Sequence, residues 1–109
     1  MKKIAYVFTK QHTGELMEDS LLLPIALGQH GAKVVAMYFI EDGVYQLMKG
    51  GRSSKNLKTA INEKDVKVFG CKISIKNRNL QNVIIDGVHI GEFNDFFQIA
   101  LEADHIISF

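Results

Sequence analysis

Residues 66–78, VKVFGCKISIKNR, contain the two elements from which the whole chain is built. Residues 66–70 have the length and apolar character of a short buried strand, and the helix that we predict after it begins at Cys71. A strand that runs directly into a helix is the repeating unit of α/β folds. Cys71, the single cysteine of the chain, therefore lies at the junction of the two elements.

The same alternation of strands and helices continues along the whole chain. Apolar runs predict strands at 3–9, 34–40, 66–70, 88–90 and 105–109, with 83–85 as a rival for the fourth. Helical patterns occupy 15–30, 57–62 and 92–103, and residues 41–49 have room for one or two helical turns. These elements predict a three-layer α/β/α fold around a five-stranded parallel sheet. In such sheets, ligand-binding and catalytic residues lie at the carboxyl ends of the strands.

The helix predicted over 15–30 has two features that bear on its course. Leu16, Leu23 and Leu27 fall on one stripe, which we expect to face the sheet, and Gly31 is placed to end the helix. Pro24 lies inside the helix and removes one backbone hydrogen bond, so we expect a kink there. In the last helix, the predicted inner face consists of Phe93, Phe96, Phe97, Ala100 and Leu101.

Length, charge and cysteine content limit the class of protein. A chain of 109 residues fits one domain, 1–109. Thirteen basic and twelve acidic residues give a net charge of +1, which argues against direct nucleic-acid binding and against membrane-surface binding. The apolar run near the amino terminus is too short for a secretory signal, and no run is long enough to span a membrane. A single cysteine cannot form an internal disulfide, so we expect a cytoplasmic protein. The chain has no CxxC motif and its four histidines are far apart, so we expect no structural zinc site.

Cys71 is the sharpest candidate for a reactive group. A thiol at the amino end of a helix meets unpaired N–H groups, which favour the thiolate. Lys72, Lys76 and Arg78 add positive charge nearby, but Arg78 lies about 10 Å along a straight helix, so direct contact needs the chain to turn. A lone cysteine is also commonly a small buried apolar residue, and both interpretations stay open at this point.

Two loops are weaker candidates. His12 and Thr13 follow the first strand, where an anion site or a neighbour for Cys71 is conceivable, and the alternative is an exposed loop histidine. Tyr45 lies after the second strand, at the same predicted rim. The segment GGRSSK at 50–55 looks loosely like a phosphate loop, but it lacks the spacing of that motif. A mobile surface loop is the simpler interpretation.

Three motifs follow one another along the chain. They are YFIEDGVY at 38–45, Cys71 with Arg78 seven residues later, and a C-terminal motif made of DGVHIG at 86–91 and ADHIISF at 103–109. In order and spacing they resemble the DsrE/DsrF-like (DsrEFH) family of small sulfur-relay proteins, over nearly the whole chain. Asn79 follows Arg78 where catalytic members of that family commonly have glycine.

The resemblance implies a sulfur carrier that needs no cofactor. Cys71 would hold sulfane sulfur as a persulfide, with Arg78 as the second catalytic residue, and would exchange it with donor and acceptor proteins. It also implies assembly, as a homo-oligomer (trimer or hexamer) or a hetero-hexamer. We expect residues 44–48 to lie at a subunit contact near the rim. The alternatives are a non-catalytic assembly subunit with a merely packed Cys71, and a small-ligand or nucleotide-binding α/β module.

Overall fold

The computed structural model describes residues 1–15 and 17–109 of the chain. Its strands are β1 (Lys3–Phe8), β2 (Lys33–Phe39), β3 (Lys67–Cys71), β4 (His89–Gly91) and β5 (His105–Ser108). Its α-helices are α1 (Glu15–Met17), α2 (Leu23–Ala26), α3 (Ser54–Glu63), α4 (Lys72–Asn77) and α5 (Phe93–Ala100). A π-helical turn, Glu18–Leu22, joins α1 to α2, and a 3₁₀-helix, Glu41–Leu47, follows β2.

The five strands form one sheet in the order β4-β3-β2-β1-β5, and every neighbouring pair is parallel. The predicted α/β fold with a five-stranded parallel sheet is therefore confirmed. The fourth strand is close to the prediction at 88–90, whereas Ile84 from the rival segment forms only an isolated antiparallel bridge with Met48. Among the described residues, none of the helices combines the length and apolar character that a membrane crossing requires.

Successive residues of each strand face opposite sides of the sheet, and this alternation divides the core in two. The larger cluster packs the first helical segment, the 3₁₀-helix, α3 and α4 against one face, which includes Phe8, Met37 and Val68. The smaller cluster packs α5 against the other face, where Tyr38 and Phe69 pair across β2 and β3. Cys71 belongs to the edge of this second cluster.

The first helical segment differs from its prediction. Its α-helical part ends at Ala26, earlier than predicted. The left-handed residue that follows this end is Gly28, with φ of 71°, whereas the prediction gave that position to Gly31. The prediction that Leu23 and Leu27 face the sheet is wrong, because these side chains are 38% and 57% exposed. Leu16 lies outside the described residues.

The π-helical turn explains this difference. The N–H of Leu23 bonds the carbonyl of Glu18, five residues back, directly before Pro24, which has no N–H to donate. A π-helical turn holds more residues than an α-helical one, so a stripe drawn with a period of 3.6 residues loses its register here. The buried residues of this segment are instead Met17, Leu21, Leu22 and Ile25, together with Glu18.

Two predicted apolar surfaces also change. In α5 only Phe96 and Ala100 are buried, because a single helix on this face turns one narrow stripe to the sheet, while Phe93, Phe97 and Leu101 stay partly exposed. The segment 44–48 has little surface to offer a second subunit, since Val44 and Leu47 are fully buried in the core of the chain itself.

Candidate functional site

Cys71 occupies the predicted junction: it is the last residue of β3 and the N-cap of α4. Its backbone is extended, and its Sγ accepts a hydrogen bond from the N–H of Ser74 at 3.5 Å. The side chain is partly buried, with Gly91 of β4 as its neighbour in the sheet. The thiol therefore lies at the carboxyl rim of the sheet, with free N–H groups directed at it.

The surroundings of Cys71 favour the thiolate. Burial acts in the opposite direction and raises the pKa of the thiol, but hydrogen bonds from the Ser74 hydroxyl and N–H, the Tyr38 hydroxyl and the Ile73 N–H outweigh it. The pKa of Cys71 consequently lies below its ordinary value. The cations that were expected to help are not among the causes, so neutral donors activate this sulfur.

Ser74 is the central member of this donor set. It is buried, and its Oγ accepts the N–H of Glu41 at 2.9 Å, which leaves the hydroxyl proton free to point at Sγ of Cys71. Its carbonyl oxygen accepts Nη1 of Arg78 at 3.2 Å. Sequence reasoning missed Ser74, although its place three residues after the N-cap is where helix-capping interactions are expected.

Tyr38 is the second residue that sequence reasoning missed. It is 1% exposed, and the rings of Phe93 and Phe96 pack against it. Burial, and then the hydrogen bond to Cys71, raise the pKa of Tyr38 far above its ordinary value, so it remains a protonated donor. No local signal in the sequence could have found it, because Tyr38 reaches Cys71 through the register of β2 against β3: it pairs with Phe69, and Cys71 lies two residues further on the same face.

Arg78 lies at the other end of α4, as its C-cap residue. Its Nε and Nη2 bond Oδ1 of Asp42 at 3.1 and 3.0 Å, and its guanidinium group lies 5.9 Å from the centre of the Tyr45 ring. Its hydrogen bonds thus go to Asp42 and Ser74 rather than to Cys71. Arg78 ties α4 to the 3₁₀-helix, and its catalytic role stays a prediction.

Two unusual backbone positions lie next to the residues of this contact. Asn79 has φ of 54°, so it adopts the left-handed conformation that glycine adopts most easily and that asparagine tolerates better than most residues. Gly43 follows Asp42 in the turn and lies against the carbonyl of Phe8, where any Cβ would collide with the oxygen. Asn79 therefore adopts a backbone conformation that glycine also adopts readily.

His12 and Thr13 belong to a different part of the rim. The N–H of His12 bonds Oε1 of Gln46 at 2.9 Å, and its carbonyl accepts Nε2 of the same side chain. The carbonyl of Thr13 accepts Nη1 of Arg52 at 3.0 Å. The structure brings Tyr45 beside Arg78 but places His12 with the larger core cluster, on the face opposite Cys71.

The glycine-rich segment at 50–55 is held by a buried polar network. The hydroxyl of Ser53 donates to the carboxylate of Glu18 and accepts from Gln46, and Asn56 donates to the same carboxylate at 3.1 Å. Ser53 makes no side-chain cap bond to α3. These contacts give the segment a role in holding the 3₁₀-helix against the first helical segment.

Comparisons with known proteins agree with this geometry. The profile of the DsrE/DsrF-like family matches residues 2–109. The crystal structure of the YchN protein of E. coli is similar over 100% of both chains, with 26% identity and a TM-score of 0.74. No curated protein sequence matches the chain significantly.

Two further solved structures are similar in fold. A conserved protein of unknown function from Bacteroides thetaiotaomicron has 8% identity and a TM-score of 0.74, over 97% of this chain and 94% of its own. A protein of unknown function from Methanobacterium thermoautotrophicum has 12% identity and a TM-score of 0.68, over 98% of this chain and 99% of its own.

Proposed function

Because the chain belongs to the DsrE/DsrF-like family, we propose that it is a sulfur carrier that holds sulfane sulfur on Cys71. The observation that carries this proposal is the set of neutral donors around Sγ. The N–H of Ser74 and the hydroxyls of Ser74 and Tyr38 favour a thiolate at a partly exposed position.

The chemistry is thiol exchange, in which sulfur changes partners without net oxidation. The Cys71 thiolate attacks the terminal sulfur of a donor persulfide, R–S–SH. A bond forms between Sγ and that sulfur, the donor S–S bond breaks, and R–S⁻ leaves, so that the products are Cys71–S–SH and the donor thiolate. In the second step an acceptor thiolate attacks the terminal sulfur of Cys71–S–SH and regenerates the Cys71 thiolate.

The donors around Sγ suit both steps of this cycle. A hydrogen bond to sulfur that lowers the thiol pKa raises the fraction of the attacking thiolate at neutral pH. It also makes Cys71 a better leaving group when an acceptor removes the sulfur. No metal, flavin or nucleotide takes part in either step, which is why the proposal includes no cofactor.

The proposal is tested by intact mass spectrometry after exposure to a small-molecule persulfide donor. The wild-type chain is expected to gain the mass of one or more sulfur atoms and to lose it again on treatment with dithiothreitol. Cys71→Ser is the matched control and is expected to gain nothing. A gain that survives Cys71→Ser refutes the proposal, since no other cysteine is present to carry the sulfur.

A non-catalytic assembly subunit is the competing function, and reactivity separates the two. In that case Cys71 is a packing residue, and its alkylation has a midpoint at or above the ordinary thiol pKa of about 8.5. A carrier is expected to be alkylated well below that pH. A pH profile of alkylation with iodoacetamide therefore decides between the two functions.

The proposal includes sulfur donor and acceptor proteins and assembly as a homo-oligomer or hetero-hexamer. Support for assembly comes from β5, an edge strand that exposes Ile106 on the α5 face of the sheet and Ile107 on the opposite face, and from the exposed Phe97 and Leu101 of α5 and its end. An apolar edge strand is a surface that proteins normally cover. We propose these exposed residues as the subunit contact in place of the one expected at 44–48, because Val44 and Leu47 are buried within the chain.

Size-exclusion chromatography with light scattering tests assembly. Ile107→Lys is expected to shift the mass towards that of a single chain, 12.2 kDa, because a lysine on the edge strand opposes pairing. Leu27→Lys, at another exposed apolar position, is the control and is expected to leave the mass unchanged. A wild-type mass near 12.2 kDa at micromolar concentration refutes a homo-oligomer and leaves only assembly with other chains.

A further inference from the structure

His89 of β4 lies close to Cys71 at the carboxyl rim of the sheet. It pairs with Phe69 of β3, and two residues further along the same two strands Cys71 pairs with Gly91. Side chains two residues apart point to the same face of a sheet, so His89 and Cys71 share the face that α5 covers. The ring of His89 packs edge to face on Phe69, and its side chain is 61% exposed. A molecule in solution therefore has access to this imidazole.

The imidazole ring leans towards the carboxyl rim, over Gly91. A Cβ atom placed on Gly91 would lie 3.2 Å from Cδ2 and 3.3 Å from Nε2 of His89, so the ring occupies the space that a side chain at this position would need. Cys71 is the residue next to Gly91 in the sheet, and adjacent strands are about 4.8 Å apart. Nε2 of His89 consequently lies within two strand spacings, about 10 Å, of Sγ of Cys71.

Asp95 of α5 is the partner of this ring. Its Oδ2 lies 4.0 Å from Nε2 of His89 and accepts the N–H of Glu92 at 3.0 Å. The bond to Glu92 is half of the capping box that begins α5, so the carboxylate is held in place against Gly91. A fixed carboxylate at this distance attracts the protonated ring and limits how it turns.

We propose that His89 is a further catalytic residue of the sulfur carrier, which gives a proton to the sulfur that leaves the donor persulfide, and that Asp95 is its positioning residue. The inference rests on the proposed function and adds a proton donor to it. No hydrogen bond joins His89 to Cys71 within the described part of the chain, and the donor itself spans the gap. Two S–S bonds of about 2 Å each, with an N–H to sulfur bond such as the 3.5 Å one from Ser74, reach about 7.5 Å from Sγ.

The donors around Sγ leave this task open. The hydroxyls of Ser74 and Tyr38 point at Sγ, so they serve Cys71 as the attacking group in loading and as the leaving group in unloading. Neither of them addresses the second sulfur of the donor S–S bond. An alkyl thiolate is strongly basic and leaves slowly unless it is protonated. Histidine side chains commonly change charge near neutral pH, so an imidazole can give a proton and recover it in each cycle.

Protons and electrons balance over the whole cycle. During loading, the Cys71 thiolate attacks the terminal sulfur of R–S–SH, the Sγ–S bond forms, and the electron pair of the broken S–S bond goes to the R–S sulfur. The imidazolium of His89 gives that sulfur its proton, so R–SH leaves and a neutral imidazole remains. During unloading, the imidazole takes the proton of the acceptor thiol R′–SH, and R′–S⁻ removes the terminal sulfur. The products are R′–S–SH, the Cys71 thiolate and the imidazolium, without net oxidation.

Thiol exchange of Cys71 with two uncharged disulfides tests the proposal. The probe 4,4′-dithiodipyridine releases a weakly basic group that needs no proton, whereas 2-hydroxyethyl disulfide releases a strongly basic alkyl thiolate. Intact mass follows the mixed disulfide at pH 7. His89→Gln should slow the reaction with 2-hydroxyethyl disulfide about tenfold, less than general acids usually contribute, because water at this exposed position also supplies protons. The rate with 4,4′-dithiodipyridine should stay within about twofold of the wild-type rate.

Two further variants and a third reagent complete the series. Asp95→Asn keeps an acceptor for the Glu92 N–H and removes the charge, so it should slow only the reaction with 2-hydroxyethyl disulfide, by a smaller factor than His89→Gln. His105→Gln, at an exposed histidine of the opposite edge strand, is the control and should change neither rate. Iodoacetamide releases iodide, which needs no proton, so its rate should be the same in His89→Gln and wild type. Circular dichroism and the melting temperature show that each variant folds.

Three results for His89→Gln would each overturn the proposal: equal slowing of both disulfides, no slowing of either, or an iodoacetamide rate that falls by the same factor. A role in folding or in forming the thiolate affects every reagent alike, whereas proton donation affects only the basic leaving group. Failure of the sulfur carrier is seen separately, as a wild-type chain that gains no sulfur from a persulfide donor. Exchange with disulfides needs only the thiol of Cys71, so the two failures are distinguishable.

Discussion

Ser74→Ala tests how Cys71 is activated. The substitution removes the hydroxyl that donates to Sγ but keeps the backbone N–H, which bonds Sγ at 3.5 Å. It also removes the acceptor of the Glu41 N–H, a bond of 2.9 Å that holds a residue with φ of 54°. Two separate losses are therefore expected, one in the reactivity of Cys71 and one in stability.

The sizes of both losses follow from these contacts. A hydrogen bond to a charged group contributes about 1.5–3 kcal/mol, and water at the partly exposed sulfur replaces part of it, which leaves a loss of about 1 kcal/mol. At a pH where the thiolate is the minor form, that loss corresponds to about fivefold slower alkylation. The free energy of unfolding should fall by about 1 kcal/mol for the Glu41 bond, which lowers the melting temperature by about 4–8 °C.

The assay is alkylation of Cys71 by iodoacetamide at pH 7, followed by intact mass, beside thermal unfolding by circular dichroism. Ser20→Ala, at an exposed serine of the first helical segment, is the matched control and should change neither quantity. An unchanged alkylation rate in Ser74→Ala would refute activation by the hydroxyl. Slower alkylation with an unchanged melting temperature would refute the inferred role of the Glu41 bond.

Three further predictions concern the same site. Tyr38→Phe should slow alkylation of Cys71 severalfold while Tyr45→Phe leaves it unchanged, because only the first hydroxyl donates to the sulfur; equal rates in both variants contradict this. Arg78→Ala should lower the free energy of unfolding by about 1 kcal/mol and slow sulfur loading. In a double-mutant cycle, adding Asp42→Ala to the Arg78→Ala chain should lower the free energy of unfolding little further. Because folding lowers the pKa of Cys71, the thiol adds stability above the unfolded pKa of about 8.5 and loses it as the pH falls through the lower folded pKa. The stability of wild type relative to Cys71→Ala should therefore rise from pH 6 to 9 in urea unfolding, and a flat difference would contradict the lowered pKa.

Local patterns were enough to predict the fold and the place of the thiol. The strand over residues 66–70 and the helix that follows it depend on apolar runs and on a change of period, both of which can be read along the chain. The parallel sheet follows from the same alternation, since helices connect its strands. The structure confirms these elements with shifts of a few residues at their ends.

The first helical segment and α5 were predicted less well, for different reasons. The leucine stripe assumed a constant period of 3.6 residues, and the π-helical turn Glu18–Leu22 breaks that period where buried Glu18 meets Ser53. In α5 the composition exceeds what one side of the sheet can cover, so Phe93 and Phe97 stay partly exposed. Composition alone does not tell which apolar residues remain outside the core.

Residues close together along the chain were enough to predict the alternating α/β architecture and the position of Cys71 at a strand-to-helix junction, because both depend on local patterns. The groups that face the sulfur depend instead on the three-dimensional fold. Tyr38 reaches it through the register of β2 against β3, and Arg78 is bonded to Asp42 where α4 packs beside the 3₁₀-helix. These contacts depend on backbone distances set by sheet pairing and helix packing, and residues far apart in sequence carry no local signal of them.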